Sequence, residues 1–110
     1  MKRIILESPY AGDVDANLAY ARRCIRDSLE RGEAPIASHL LFPGILADDM
    51  PEERLRGIEA GLAWIDVADL MVLYCDRGVS PGMQEAMRRA QRASLEVELR
   101  NIEPTEMGTA

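Results

Sequence analysis

Apolar and polar positions follow two rhythms along this chain, one for strands and one for helices. Arg3–Glu7, RIILE, is a short isoleucine-rich run that predicts a buried strand, and SPYAGD, with Pro9 and Gly12, breaks it. From Val14 to Arg31 the apolar Leu18, Ala21, Cys24 (or Ile25) and Leu29 recur at helical spacing between charges. Asp13 or Asp15 is placed to cap that helix, and Gly32 to end it. Ala34–Phe42, APIASHLLF, predicts a second strand running into the loop PGILADDMP. Pro51 suits the first position of a helix, and Glu52 and Glu53 suit the positive end of its dipole. This helix is expected to reach about Ile65, with Leu55, Ile58, Leu62 and Ile65 on its buried side. Trp64 and Met71 fall at core-like positions.

Asp69–Cys75, DLMVLYC, is the clearest strand, nearly uniformly apolar as a central parallel strand covered on both faces should be. DRGVSPGM then feeds a helix to about Ala93, and Leu95–Arg100, LEVELR, alternates apolar and charged like an exposed edge strand. Residues 103–110 read as a frayed tail after one domain spanning 1–102. Strands alternating with helices predict an α/β fold: a three-layer sandwich around a parallel sheet of four to five strands, with right-handed crossovers. With strand order 2-1-3-4 the switch point lies between the first and third strands, where open α/β sheets bind ligands. The loops facing that crevice are SPYAGD and DRGVSPGM, and the segment with His39 opens on the same edge.

Composition narrows the partners. The 110 residues are 47% hydrophobic and 29% charged, an ordinary globular balance. A formal net charge of −6 argues against a nucleic acid or an anionic membrane as partner, while permitting a local pocket for a small anion. No apolar run approaches the roughly 20 residues of a membrane span. MKRIILESPY lacks a small-residue cleavage site and reads as a first strand, so a cytoplasmic location is expected. Cys24 and Cys75 are expected to be small buried thiols of a reduced compartment. His39 is the sole histidine, which rules out a His-based metal cluster. Asp48, Asp49, Glu52 and Glu53 in ADDMPEE suggest a metal, but helix-start carboxylates explain them and no calcium-loop spacing is present. Neither metal nor cofactor is expected.

The candidate chemistry lies in the crevice loops. Gly78 and Gly82 permit close backbone approaches, Ser80 is a candidate N-cap and Pro81 a first helical residue. The N–H groups of Gly82, Met83 and Gln84 would then face a phosphate or sugar; the alternative is a plain strand-to-helix turn. SPYAGD contributes Ser8, Pro9, Tyr10 and Gly12, with the Tyr10 ring placed either to stack on a base or to pack over the helix start. His39 is a ligand hydrogen-bonding group or a satisfied structural histidine. Asp76, at a strand end, is an acceptor for ribose hydroxyls or a cap on the local turn.

The strings SPYAG, SHLLF and DRGVSPGM, within residues about 3 to 102, resemble a family of small phage and bacterial proteins. More distantly, the order of elements and ADLMV followed by a Ser-x-Gly loop resemble the nucleoside 2-deoxyribosyltransferase superfamily, which includes deoxynucleoside-monophosphate N-glycosidases. The resemblance implies a flavodoxin-like sheet and a nucleoside or nucleotide pocket at the loops already named. It also implies homo-oligomers in which a neighbour helps to close the pocket. Those enzymes cleave an N-glycosidic bond with a glutamate nucleophile four residues beyond the loop glycine, assisted by a carboxylate eight residues before the Asp of the AD pair. Two carboxylates suit this chemistry, one attacking the anomeric carbon and one handling a proton. Here the positions read Ala86 and Gly61, and the catalytic tyrosine of the first strand falls near Ile5. Glu85 is one residue from the nucleophile position, a turn of about 100° on a helix, and Glu59 is the nearest substitute for the second carboxylate. The resemblance therefore implies a non-catalytic binder of a nucleotide or nucleotide-derived molecule. A phage protein sequestering a cyclic ADP-ribose-type immune signal is one form of it. The alternative is an N-glycosidase or deoxyribosyltransferase acting on nucleoside monophosphates, with Glu85 as nucleophile.

Overall fold

A computed structural model of the chain describes residues 1–104. The elements run β1 (Arg3–Glu7), α1 (Val14–Glu30), β2 (Ala34–Ile36), α2 (Ser38–Leu41), α3 (Pro51–Leu62), a 3-10 turn (Ala63–Asp66), β3 (Leu70–Tyr74), α4 (Pro81–Arg92) and β4 (Val97–Arg100). All strand pairs are parallel and the sheet order is β2-β1-β3-β4, the α/β architecture that the alternation of strands and helices predicts. Strand alternation divides the core in two. Ile4, Leu6, Leu70, Val72 and Tyr74 pack with Tyr20 and Cys24 of α1. Ile5, Met71 and Leu73 pack on the other face with Leu62, Ile65 and the α4 residues Met83, Ala86 and Ala90. Each large side chain so buried contributes about 1.5–3 kcal/mol.

The caps follow local chemistry. Asp13 accepts from the Ala16 N–H at 3.2 Å and begins α1, a cap worth about 1 kcal/mol. The buried stripe of α1 is Tyr20, Ala21, Cys24 and Ser28, and Leu29 stays exposed. Cys24 is buried and Cys75 partly so, both as free thiols; burial pushes the Cys24 thiol up to about 12.

Three expectations are corrected. The second strand ends at Ile36, because β1, its one neighbour among the described residues, pairs with Ala34–Ile36 alone. The next residues turn into α2, closed by the Phe42 N–H bonding to the Ser38 carbonyl at 3.0 Å. The helix begun by Pro51 ends at Leu62 and tightens into the 3-10 turn. It packs on α2 and that turn rather than flat on the sheet. Leu62 and Ile65 are therefore buried as expected, whereas Leu55 and Ile58 are 57% and 41% exposed and Trp64 is 49% exposed. Met71 is fully buried.

β4 is the edge strand its alternation suggests, but the inward residue is Arg100 and Leu99 points out. Arg100 donates to both Glu33 oxygens at 2.7 Å and to the Tyr74 hydroxyl at 3.2 Å. An inward charge of this kind discourages edge-to-edge pairing. Of the tail 103–110, residues 105–110 lie outside the described residues, and Glu103 is ion-paired with Arg23 and Arg77. Among the described residues no helix is long and apolar enough to cross a membrane.

Candidate ligand-binding site

At the carboxyl end of β1 a cavity of ≈ 340 Å³ opens between the loop after β1, α2, α3 and the start of α4. It gathers Ser8, Tyr10, His39, Ser80, Pro81, Gly82 and Met83 from the sequence candidates; Pro9, Gly12, Asp76 and Gly78 do not line it. Phe42, Leu46, Ile58 and Leu62 supply apolar wall. A mostly apolar hollow with a few converging polar groups is the usual form of a small-molecule site.

His39, at the second position of α2, meets the loop after β1 through a hydrogen bond of 2.7 Å shared by Nε2 and the Ser8 hydroxyl. Burial pushes the imidazole down to about 4, so it is neutral at physiological pH. Tyr10 donates its hydroxyl to Asp48, another residue of the cavity wall. The hydroxyl's own pKa is raised, first by that hydrogen bond. The loop carrying Tyr10 is fixed from behind by Asn17, whose amide donates to the Tyr10 and Ala11 carbonyls at 3.0 Å.

Glu7 is absent from the residues singled out by sequence, yet it is the most perturbed acid in the wall. As the last residue of β1 it follows Ile5 onto the face covered by α4. Among the described residues its carboxyl makes no hydrogen bond, and no buried polar side-chain atom is left unpartnered, so its oxygens open to the cavity. Burial raises its pKa to about 7. The signal that could have found it is an acidic residue ending a buried strand at the switch point, in phase with Ile5.

The start of α4 offers less than its sequence suggests. Ser80 is the N-cap, its hydroxyl accepting from the Met83 N–H at 3.2 Å, and the Gln84 N–H bonds to the Ser80 carbonyl at 3.0 Å. Those two donors are consumed. Only the Gly82 N–H remains for a ligand in this turn, among the described residues. Gly78 has φ +84, and its N–H closes a turn onto the Cys75 carbonyl at 2.9 Å, so it shapes the loop from outside the cavity.

Asp76 is turned to structural work. Its carboxylate accepts from the Tyr20 hydroxyl at 2.9 Å and from the Ile102 and Glu103 N–H groups at 2.8 and 3.1 Å. Burial alone would raise its pKa, but these donors outweigh burial and hold it below the usual range. Arg77 stacks over Tyr20 at 4.8 Å and pairs with Glu103, completing the knot.

Of the positions that the resemblance assigns to catalysis, one lies on the cavity. Ala86 lines it and is buried. Gly61 faces α2 so closely that a Cβ would lie 2.6 Å from the Ser38 Cβ and Oγ, which leaves no room for a carboxylate there. Ile5 is buried in the core. Glu85 lines the cavity, but its carboxylate accepts from Arg88 and Arg89, and these bonds hold its pKa down. Arg89 also clamps Glu59 through its two terminal guanidinium nitrogens at 3.1 and 2.7 Å.

Solved structures share this fold. A 2-deoxyribosyltransferase from Bacillus psychrosaccharolyticus superposes with a TM-score of 0.66 at 18% identity, covering 97% of this chain and 80% of that one. The 2-deoxyribosyltransferase of Leishmania mexicana gives 0.60 at 14% identity, covering 97% and 69%. A CMP N-glycosidase from Clostridium botulinum gives 0.54 at 17%, covering 91% and 69%. At these identities the likeness is one of fold, the flavodoxin-like sheet of the deoxyribosyltransferases. No curated protein matches the chain in sequence. A family model described as a domain of unknown function (DUF7768) matches residues 2–100, and the chain belongs to that family.

Proposed function

We propose that the cavity binds a nucleotide or a nucleotide-derived small molecule and leaves its glycosidic bond intact. One observation carries this reading: the hollow at the switch point is kept, while the two positions expected to bear carboxylates read Ala86 and Gly61. A displacement at the anomeric carbon needs a carboxylate free to attack and a second group to manage the proton. Ala86 supplies nothing, and Ser38 occupies the space beside Gly61. At ≈ 340 Å³ the cavity is at the small end of the roughly 300–1,000 Å³ of small-molecule sites. It suits one nucleoside unit, with the rest of a larger signal of the cyclic ADP-ribose type projecting from the mouth. Sequestration of such a signal by a phage-encoded protein is the biological form of this reading. A homo-oligomer belongs to it as well, since Ile58 at the cavity wall and Leu55 are left exposed.

The second reading is N-glycosidase or deoxyribosyltransferase activity on nucleoside monophosphates, favoured by one observation: Glu85 lines the same cavity as Ala86. Against it stands the double clamp of Arg88 and Arg89 on that carboxylate. The two are separated by incubating purified protein with nucleoside monophosphates while recording melting temperature and free base. Binding alone predicts a raised melting temperature, about 2.7 kcal/mol of added stability at 100 times the Kd, and no base. Base release abolished by Glu85→Gln would establish the second reading and overturn the first. A melting temperature unmoved by every nucleotide would exclude both.

A further inference from the structure

We infer that Glu7 selects the ligand's base, taking an amino-substituted heterocycle of the cytosine or adenine type over its oxo counterpart; this rests on the nucleotide-binding reading above. Glu7 ends β1 on the cavity face, makes no hydrogen bond among the described residues, and directs its oxygens into a hollow walled by Phe42, Leu46, Leu62 and Met83. An acid placed so, without a cation on it, is disfavoured as an anion, and burial lifts its pKa to about 7. The neutral carboxyl offers one O–H donor beside one carbonyl acceptor.

That pair of groups is the complement of an amidine edge, in which a ring nitrogen accepts and the adjacent amino group donates. Cytosine and adenine both present it. The ring nitrogen is a stronger acceptor than a carbonyl oxygen. If it takes the proton from Glu7, the result is a charge-assisted pair rather than a loss. The imide edge of uracil or hypoxanthine offers the Glu7 O–H only a carbonyl and gains no such assistance.

The other titratable and charged groups of the cavity are His39 of α2, Tyr10 and Asp48 of the loops, Glu53 and Arg54 of α3, and Glu85 of α4. His39 is held near 4 by burial, and Glu85 is held low first by its hydrogen bond from Arg88. Neither changes charge around neutrality, so proton-linked binding there falls to Glu7.

The test is equilibrium titration of CMP and UMP, and of AMP and IMP, into wild type, Glu7→Gln and Glu7→Ala between about pH 6 and pH 8. Wild type should prefer the amino base over its oxo partner by about tenfold or more, the discrimination of one bidentate pair. Its affinity for the amino base should fall about tenfold across that pH range, following deprotonation of Glu7. Glu7→Gln keeps a donor beside an acceptor without titrating, so its pH profile for CMP or AMP should keep only the change that comes from the second ionisation of the nucleotide phosphate, near pH ~6. Glu7→Ala should bring the amino and oxo ligands to near equality. Equal binding of amino and oxo bases by wild type overturns the inference, as does a pH profile shared by wild type and Glu7→Gln, and both leave the nucleotide-binding reading standing. Failure of all four nucleotides to bind any of the three proteins removes that reading and this inference together.

Discussion

Glu7 ends β1 and Asp76 lies two residues beyond β3, so two acids stand at the carboxyl edge of neighbouring parallel strands. Asp76 is met by the Tyr20 hydroxyl and by backbone N–H groups of the segment after β4, and those donors hold it ionised. Among the described residues the Glu7 carboxyl meets no donor; it faces a hollow and is pushed up to about 7 by burial. The difference lies in what arrives from the rest of the chain. The segment 102–103 folds back onto Asp76, whereas the walls brought to Glu7 are largely apolar. An acid saturated by backbone donors is a fastening. An acid left bare in a cavity is available to a ligand.

Removing the fastening should have the largest effect. Asp76→Ala leaves the Ile102 and Glu103 N–H groups and the Tyr20 hydroxyl without their acceptor. It should cost about 2–4 kcal/mol in urea unfolding; a cost below about 0.5 kcal/mol would show the knot to be ornamental.

Glu7→Gln should act in the opposite direction and only at higher pH. The native carboxyl has a pKa of about 7 against an ordinary 4.5. The folded state therefore binds more protons between those values, and wild-type stability falls as pH rises through that window. Glutamine does not titrate. Its advantage should be absent near pH 4 and reach on the order of 3 kcal/mol by about pH 8, read as the pH dependence of the melting temperature. A constant difference across pH would mean that Glu7 is solvated.

The cavity wall can be probed apart from either acid. Gly61→Ala forces a Cβ to within 2.6 Å of Ser38 and should cost about 1–2 kcal/mol by pushing α2 off α3. Thermal unfolding measures that loss, and a neutral result would mean that α2 is free to move. Tyr10→Phe is expected to do least. It removes one partly exposed hydrogen bond to Asp48 and should cost under about 1 kcal/mol in the same assay, because the loop is held by Asn17 rather than by the Tyr10 hydroxyl.

The sheet was legible because Ile4–Leu6 and Leu70–Tyr74 are apolar on both faces and the α1 and α4 stripes are separated by strong turn residues. Leu55, Ile58 and Trp64 misled because helical periodicity records which face is apolar, not whether anything covers it. The strand expected through Phe42 failed because its length depends on β1, a partner distant in sequence. At the site, Ser8, Tyr10, His39 and the Ser80–Met83 turn could be placed from the switch-point rule and turn chemistry alone. Asp76 could not be divided between ligand and structure, since its donors lie at Ile102 and Glu103, far along the chain. Glu7 was hidden by being the polar end of an apolar run, where an exposed strand terminus is the ordinary expectation.

Whether the cavity holds a nucleotide and spares its glycosidic bond can be read from a proton NMR titration of CMP with the purified protein, following the anomeric H1′ resonance of the ribose. Binding without cleavage predicts that this resonance shifts or broadens as the protein is added and that its integral is unchanged over many hours. A resonance that does not respond to the protein, or one replaced by the signals of free cytosine and ribose 5-phosphate, would contradict it.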